Sequence, residues 1–457
     1  MSILPILLAL GLLIWGAYRG LPVLLLAPLL AVAAAVASGG PALASYTQVF
    51  MAAAGGFVVA FFPLFLLGAV FGRIMEDSGA TTTLARAIAA RVGRDRAILS
   101  VVLACAVLTY GGVSLFVVAF AAWPLARALF AETDTPARLI PATIALGAFT
   151  FTMTALPGTP AIQNAIPMPW FGTTAFAAPG LGVLAGLVML GLGQAWLVWR
   201  SRRLRAGGEG FGLDLPGDGP REGVVPVWQA LSPIVAVVAL TWALGAHVLP
   251  ALDTAYLADP RYGATELSRV IGLWAVIGAL VLACAMALVL GWPRLRAPVA
   301  TLDEGARAAL APIFNTASLV GFGAVIAALP GFEAIRAGLE GVTGGSVLWS
   351  LALVVNVLAG ITGSASGGMS IALEAFGPQY LEQARAAGID PALLHRVTAV
   401  ATGGLDALPH NGAVVTLLGI CGMTHRQAYA DIFVVAVAIP VLALAVLILT
   451  GGALGTF

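Results

Sequence analysis

The sequence predicts an all-α polytopic membrane protein, and three observations carry that assignment. Of its 457 residues 60% are hydrophobic and 9% charged, with a mean hydropathy of +1.01. Uncharged stretches such as Gly20–Gly72 and Leu139–Trp199 far exceed the roughly 20 apolar residues that cross a bilayer as a helix. Within lipid every backbone N–H and C=O has to be paired inside the protein, which selects helices over open sheets. The formal net charge of +1 argues against nucleic acid or an anionic surface as partner.

Apolar runs bounded by charged, proline or glycine residues place spans near 2–18, 21–38, 46–74, 138–160 and 173–199. The first of these lacks a basic leader and a small-residue cleavage site, so it reads as a retained helix. The second half follows with spans near 226–250, 266–291, 308–330, 397–422 and 431–451. Two more apolar pieces, about 97–130 and 346–375, have glycine-rich polar middles, "TYGGVS" at Thr109–Ser114 and "TGSASGG" at Thr362–Gly368. Each reads as a re-entrant hairpin that enters and leaves on one side. Cys105, Cys284 and Cys421 sit in apolar stretches without metal or redox spacing and read as small core residues.

The arginines orient these elements. All but five of the 22 basic residues fall on one face when Arg19 is cytoplasmic, the exceptions being Arg261, Arg269, Arg336, Arg385 and Arg396. That parity holds only if both glycine-rich pieces are hairpins. It makes the hydrophilic segment 200–223 a flexible cytoplasmic linker and puts both termini on the periplasmic side of a bacterial inner membrane. Lysine is absent, which together with the alanine and glycine richness points to a GC-rich bacterial genome.

The linker separates two copies of one pattern, residues 1–199 and 224–457. "TALPGTP" (Thr154–Pro160) echoes "DALPHNG" (Asp406–Gly412) at a spacing of 252, and the same spacing puts Gly111 over Gly363 and Ser114 over Ser366. Five spans and one hairpin per copy invert the second relative to the first, the inverted-repeat design of secondary transporters. Pro157 and Pro409 fall inside apolar segments, where proline removes a donor and clashes with the preceding turn, so the helices near 138–160 and 397–422 should break at mid-membrane. Such breaks are tolerated where they line a cavity, and their half-helix N-termini favour an anion.

The two breaks and the two hairpin tips therefore predict one central site. Tyr110, Gly111, Gly112, Ser114, Gly158, Thr159, Gln163 and Asn164 come from the first half, and Ser364, Ser366, Gly367 and Asn411 from the second, as substrate-binding candidates. No arginine lies in these stretches, so a bound carboxylate would rest on amides and hydroxyls, which suits a monocarboxylate. Asp406 and His410 are the candidates for coupling to a cation: His410 titrates near neutrality and Asp406 could do so if desolvated. Hydroxyl-rich tips could instead coordinate sodium. In plainer readings His410 and Asp406 cap the second half-helix, and the glycines serve only close packing. Glu76, Asp77 and Glu374 read as solvated span ends, and His247, His395 and His425 as interfacial residues without a motif.

At these same residues the sequence resembles the gluconate:proton symporter family within the larger ion-transporter superfamily. The resemblance rests on "FLLGAVFGRIMEDSGA" (Phe65–Ala80), "LTYGGVSLFVVAF" (Leu108–Phe120), "LIPATIALGAFTFTMTALPGTPAIQNAIP" (Leu139–Pro167) and "GGLDALPHNGAVVTLLGICGMTHRQAY" (Gly403–Tyr429), and it covers most of the chain. It implies proton-driven uptake of small hydroxy acids, no cofactor, a homodimer, and an elevator in which a transport domain of hairpins and broken helices slides along a scaffold. "DALPHNG" looks closer to a branch associated with 3-hydroxybutyrate. Two other classes share some residues. Ser366 with His410 could form an intramembrane serine protease, against which the duplication argues, and a passive channel would place its polar rings differently.

Overall fold

The computed structural model describes residues 3–19, 21–93, 96–113, 115–212, 225–332, 345–409 and 411–457. Among these the chain is helical throughout, without a strand. Among the described residues seven helices are long and apolar enough to cross a membrane. The candidate residues Ser114 and His410, and the linker from 213 to 224, lie outside the described residues.

Two helices open the chain, α1 (Leu4–Tyr18) and α2 (Val23–Ala37), and pack against each other. The long α3 (Ala42–Asp77) follows, then α4 (Ala80–Val92). Helices α5 (Ala97–Tyr110) and α6 (Leu115–Glu132) form a hairpin. The next apolar segment is interrupted: α7 (Ile140–Ala148), α8 (Phe151–Thr154), a non-helical stretch, then α9 (Ile162–Ala165) and α10 (Pro167–Phe171). Helix α11 (Pro179–Ala206) ends the first half.

The second half runs through the same kinds of element in the same order. Helices α12 (Val227–Ala243) and α13 (Leu267–Gly291) pair, α14 (Pro298–Ala308) and α15 (Leu310–Ala327) make one long path, and α16 (Val347–Thr362) with α17 (Ala365–Ala386) forms a hairpin. A second interrupted segment has α18 (Pro391–Ala401) and α19 (Gly412–Ile420), and α20 (His425–Leu454) closes the chain. Packing between the halves is reciprocal. Helix α2 lies on α15 as α13 lies on α3, and α6 meets α19 as α17 meets α10.

Local chemistry explains the hairpin turns. Gly112 (φ +89°) and Gly363 (φ +60°) occupy the left-handed region where a side chain would be strained, so the chain reverses at both without disturbing the arms. The arms of α16 and α17 then cross closely, because Gly368 offers only a hydrogen where the backbone of Ala359 passes. The three cysteines are buried in the apolar core.

Several boundaries differ from the sequence expectation. Helix α4 is an additional element where loop arginines were expected: Thr81, Leu84, Ala85 and Ala89 form a buried stripe at helical spacing, but alanine and threonine give it little hydropathy. Helix α14 begins ten residues before the expected span at 308. Helix α18 begins at Pro391 rather than 397, because Asp390 caps it by accepting from the Ala392 amide at 2.8 Å. The expected flexible linker is ordered at its start: α11 continues to Ala206, Glu209 pairs with Arg138 at 3.6 Å, and the Phe211 amide donates to Asp134 at 2.9 Å. Glu76 and Asp77, expected to be solvated, pair with Arg73, which also meets Glu304.

The last helices of the two halves are joined by a buried charge. Asp431 of α20 is 1% exposed and accepts from the Trp196 indole at 3.1 Å and from Arg200 Nε at 3.2 Å, both on α11. Removing one member of a buried pair leaves the other charge uncompensated. Asp431→Ala is accordingly expected to lower stability by about 3 kcal/mol, read as a lower melting temperature in detergent. Arg200→Met combined with Asp431→Leu should recover most of that loss.

Candidate functional site

A cavity of about 840 Å3 lies where the two halves face each other. Both hairpin turns reach its wall, with Thr109, Gly112 and Val113 from one and Thr362 to Ser366 from the other. Both helix breaks do so too, through Met153, Thr154 and Pro160 to Gln163 from one and Asp406, Ala407 and Asn411 to Ala413 from the other. More of the wall comes from α3 near Leu64 to Gly68, from α15, which contributes Asn315 and Thr316, and from Leu21, Val23, Phe149 and Leu280. The four stretches singled out by the sequence are thus brought together in one place.

In the second half, capping interactions shape the wall. Ser364 caps α17 by accepting from the Gly367 amide at 3.1 Å, and its hydroxyl lies 3.5 Å from that of Ser366. Ser366 in turn is 3.3 Å from the Thr316 hydroxyl of α15. Asn411 caps α19, its Oδ1 accepting from the amides of Ala413 (2.6 Å) and Val414 (3.1 Å). Its Nδ2 donates to the Gly363 carbonyl at 2.8 Å, which ties the break to the hairpin tip. Two helices therefore begin at the cavity wall, and their N-terminal dipoles make that side favourable for negative charge. Asp406 is half-buried on the same wall and has no ion-pair partner among the described residues.

The first break is held differently. Tyr110 donates its hydroxyl to the Pro157 carbonyl at 2.6 Å. Asn164 donates through Nδ2 to the carbonyls of Thr159 (2.9 Å) and Ala175 (3.0 Å), which fixes its amide orientation. Its Oδ1 then accepts from His395 Nε2 and from Arg396 Nη1, each at 3.1 Å. With Nε2 donating, the neutral His395 ring accepts at Nδ1 from the Thr173 hydroxyl, 2.6 Å away.

Arg396 is fully buried and spends every N–H on this break. Nε donates to the Ala177 carbonyl at 3.0 Å and Nη2 to the same oxygen at 2.7 Å. Longer bonds of 3.4 Å run from Nη2 to Ala175 and from Nη1 to Thr154. The four stretches hold no arginine and none is among the described residues on the cavity wall, but α18 carries Arg396 across to the first-half break behind that wall. The same early start of α18 buries His395, expected near an interface. The signal in the sequence was a His-Arg pair with nothing charged after it until Asp406.

Of the predicted site residues, Gly112, Gln163, Ser364, Ser366, Asp406 and Asn411 line the cavity. Tyr110, Gly111, Gly158, Thr159, Asn164 and Gly367 stand behind that wall. Gly111 packs on Ile234, Gly158 on Phe176 and the Tyr110 hydroxyl, and Gly367 on Leu319. Thr159 and Asn164 have no exposed surface. Gln163 is 8% exposed, and its Oε1 has no hydrogen-bond partner among the described residues. Thr109, Asn315, Thr316 and Thr362 are wall residues that the sequence reading did not name as candidates.

A second cavity of about 1140 Å3 lies toward the opposite ends of α3 and α15, with Trp170, Arg269, Ser370, Glu374 and Arg385 on its wall. Helix α3 gives its C-terminal half to the first cavity and its N-terminal half to the second, and α15 does the reverse. The two helices run antiparallel between the cavities.

The sequence is 43% identical over 452 residues to the uncharacterized transporter YxjC of Bacillus subtilis (strain 168), a match covering 95% of this chain and 96% of the relative. The crystal structure of the Alcanivorax borkumensis YdaH transporter, described as having an unusual topology, superimposes with a TM-score of 0.57. That likeness covers 88% of this chain and 87% of the other at 19% identity, and it concerns the fold alone. No family model matches the sequence.

Two neighbouring amides should behave oppositely on substitution. Asn164→Leu strands buried donors and acceptors on three sides and is expected to cost about 1–3 kcal/mol per orphaned group, lowering the melting temperature. Gln163→Leu should leave the melting temperature unchanged and weaken solute binding about tenfold, the value of one hydrogen bond in a desolvated pocket, measured by scintillation proximity with a labelled solute.

Proposed function

The chain belongs to the family of the Bacillus subtilis transporter YxjC, and on that premise we propose that it is a secondary active transporter importing a small hydroxy monocarboxylate, of the gluconate or 3-hydroxybutyrate type, with protons. It is a multi-pass membrane protein and not an enzyme. The observation that carries the proposal is the meeting of both hairpin turns and both helix breaks on one polar-lined cavity. A small carboxylate fits that wall: amides and hydroxyls supply donors, two helix starts supply partial positive charge, and the apolar remainder excludes bulk water.

The reciprocal packing of the halves and the antiparallel run of α3 and α15 support an inverted repeat, residues 1–199 and 224–457, joined by the segment 200–223. In this reading the hairpins and broken helices form a mobile transport domain, α3 and α15 belong to the scaffold, and two copies associate in the bacterial inner membrane. The first cavity reaches Leu21, two residues from Arg19, so it opens to the cytoplasm and the second cavity to the outside. Asp406 carries the coupling proton, with His410 its alternative. A sodium-coupled carboxylate symporter is the second reading, favoured by the cluster of Ser364, Ser366 and Thr316 hydroxyls.

Purified protein in liposomes is expected to exchange labelled 3-hydroxybutyrate or gluconate in counterflow and to accumulate it when a proton gradient is imposed. Accumulation driven only by sodium would establish the second reading instead. Asp406→Asn should keep counterflow and lose gradient-driven uptake; wild-type accumulation by this variant would remove Asp406 from coupling. A Thr316→Cys, Ser366→Cys pair, placed where the hydroxyls are 3.3 Å apart, should cross-link on oxidation and arrest transport until reduced. Full transport in the cross-linked protein would rule out sliding of α17 along α15.

A further inference from the structure

Carbonyl dipoles satisfy the N–H groups of Arg396, but they do not neutralise its charge. Among the described residues no carboxylate comes within ion-pair distance of this guanidinium, and no fully buried side chain is larger. An ionised group so placed in a membrane protein is costly to keep, and what balances its charge marks its role. Its ligands show where that charge is felt. Thr154, which accepts from Nη1, is itself on the cavity wall, and Asn164 is next to the wall residue Gln163. The positive charge therefore lies immediately behind the first-half wall of a cavity whose ionisable wall residue, among the described residues, is Asp406 at the second break.

We propose that Arg396 is the fixed counter-charge of the transported anion, and that the Asp406 carboxylate and the substrate carboxylate take turns in balancing it. In the empty site Asp406 is ionised and Arg396 is balanced across the cavity. In the loaded site Asp406 has taken up a proton and the substrate carboxylate balances Arg396. One proton and one monoanion enter together, no net charge crosses the membrane, and a dianion would leave the site negative and be rejected. Among the described residues, the polar groups around Asp406 leave this exchange to the aspartate. Tyr429 spends its hydroxyl on the Ala407 carbonyl at 3.1 Å, and His425 spends Nε2 on the Pro409 carbonyl at 2.8 Å. Around Arg396, Tyr110 and His395 are likewise engaged, with Pro157 and Asn164. This inference rests on the reading of the cavity as a carboxylate site.

The test uses the full-length protein in liposomes, with labelled 3-hydroxybutyrate in counterflow and either unlabelled 3-hydroxybutyrate or its neutral amide, 3-hydroxybutyramide, as competitor. In the wild type the anion is expected to compete at least about tenfold better than the amide, the discrimination that one unit charge gives across a low-dielectric wall. Arg396→Gln, which keeps donors for the break carbonyls, should bring the two competitors to within about threefold, and Arg396→Lys should restore the preference. A purely structural role would weaken both competitors together and leave their ratio unchanged, which overturns the proposal. A second measurement needs no variant: uptake by the wild type under a potassium–valinomycin clamp should be the same at either polarity of about 100 mV. Voltage-dependent uptake overturns the one-to-one balance. Absence of counterflow with any carboxylate in the wild type would instead refute the carboxylate reading of the cavity, and this inference with it.

Discussion

A helix interrupted inside a membrane leaves carbonyl and amide groups that lipid cannot solvate, and the rest of this structure is arranged around supplying their partners. At the first break the donors come from a distance. Arg396 and Asn164 bond the carbonyls of Thr154, Thr159, Ala175 and Ala177, and Tyr110 takes that of Pro157. At the second break the partner is local, with Asn411 capping α19 and reaching back to Gly363 at the hairpin tip. The two breaks have a common backbone problem and unlike solutions.

That asymmetry fits the division of work proposed for the two halves. The arginine-held break is rigid, because five donors of one planar group fix the carbonyl positions at once. It presents Gln163 and Thr154 to the cavity with a charge behind them. The asparagine-capped break places a titratable group, Asp406, at the wall. A fixed charge on one side and a protonatable one on the other is the minimum that ties the movement of an anion to that of a proton.

The relative at 43% identity is a transporter by name, and the fold shared with the YdaH transporter extends over most of both chains. What the cavity adds is chemistry. Its wall mixes amides, hydroxyls and helix starts with apolar side chains, and its size of about 840 Å3 admits a small solute with water. The Ser364, Ser366 and Thr316 chain of hydroxyls joins the second hairpin tip to α15. The contact between the moving and stationary parts of the proposed elevator is thus polar at the hairpin tip, and apolar farther along, where Gly367 packs on Leu319 and Gly323 on Ile371.

The amino-acid sequence by itself determined the helical membrane class and the four polar stretches that meet at the cavity. Both are local properties: hydropathy fixes spans residue by residue, and proline and glycine interrupt a helix wherever they fall. Helix α4 escaped because a stripe of alanine and threonine carries little hydropathy, although its spacing is amphipathic. Tertiary structure alone decided which side chains of those stretches face the solute. Gln163 and Asn164 are adjacent in one helical turn, yet neighbours on a helix point about 100° apart, so one lines the cavity and the other supports it from behind. Tertiary structure also decided that Arg396, 232 residues from Asn164, closes the first break. An arginine's reach is set by where its helix packs, and packing between halves leaves no trace in the spacing of residues along either one.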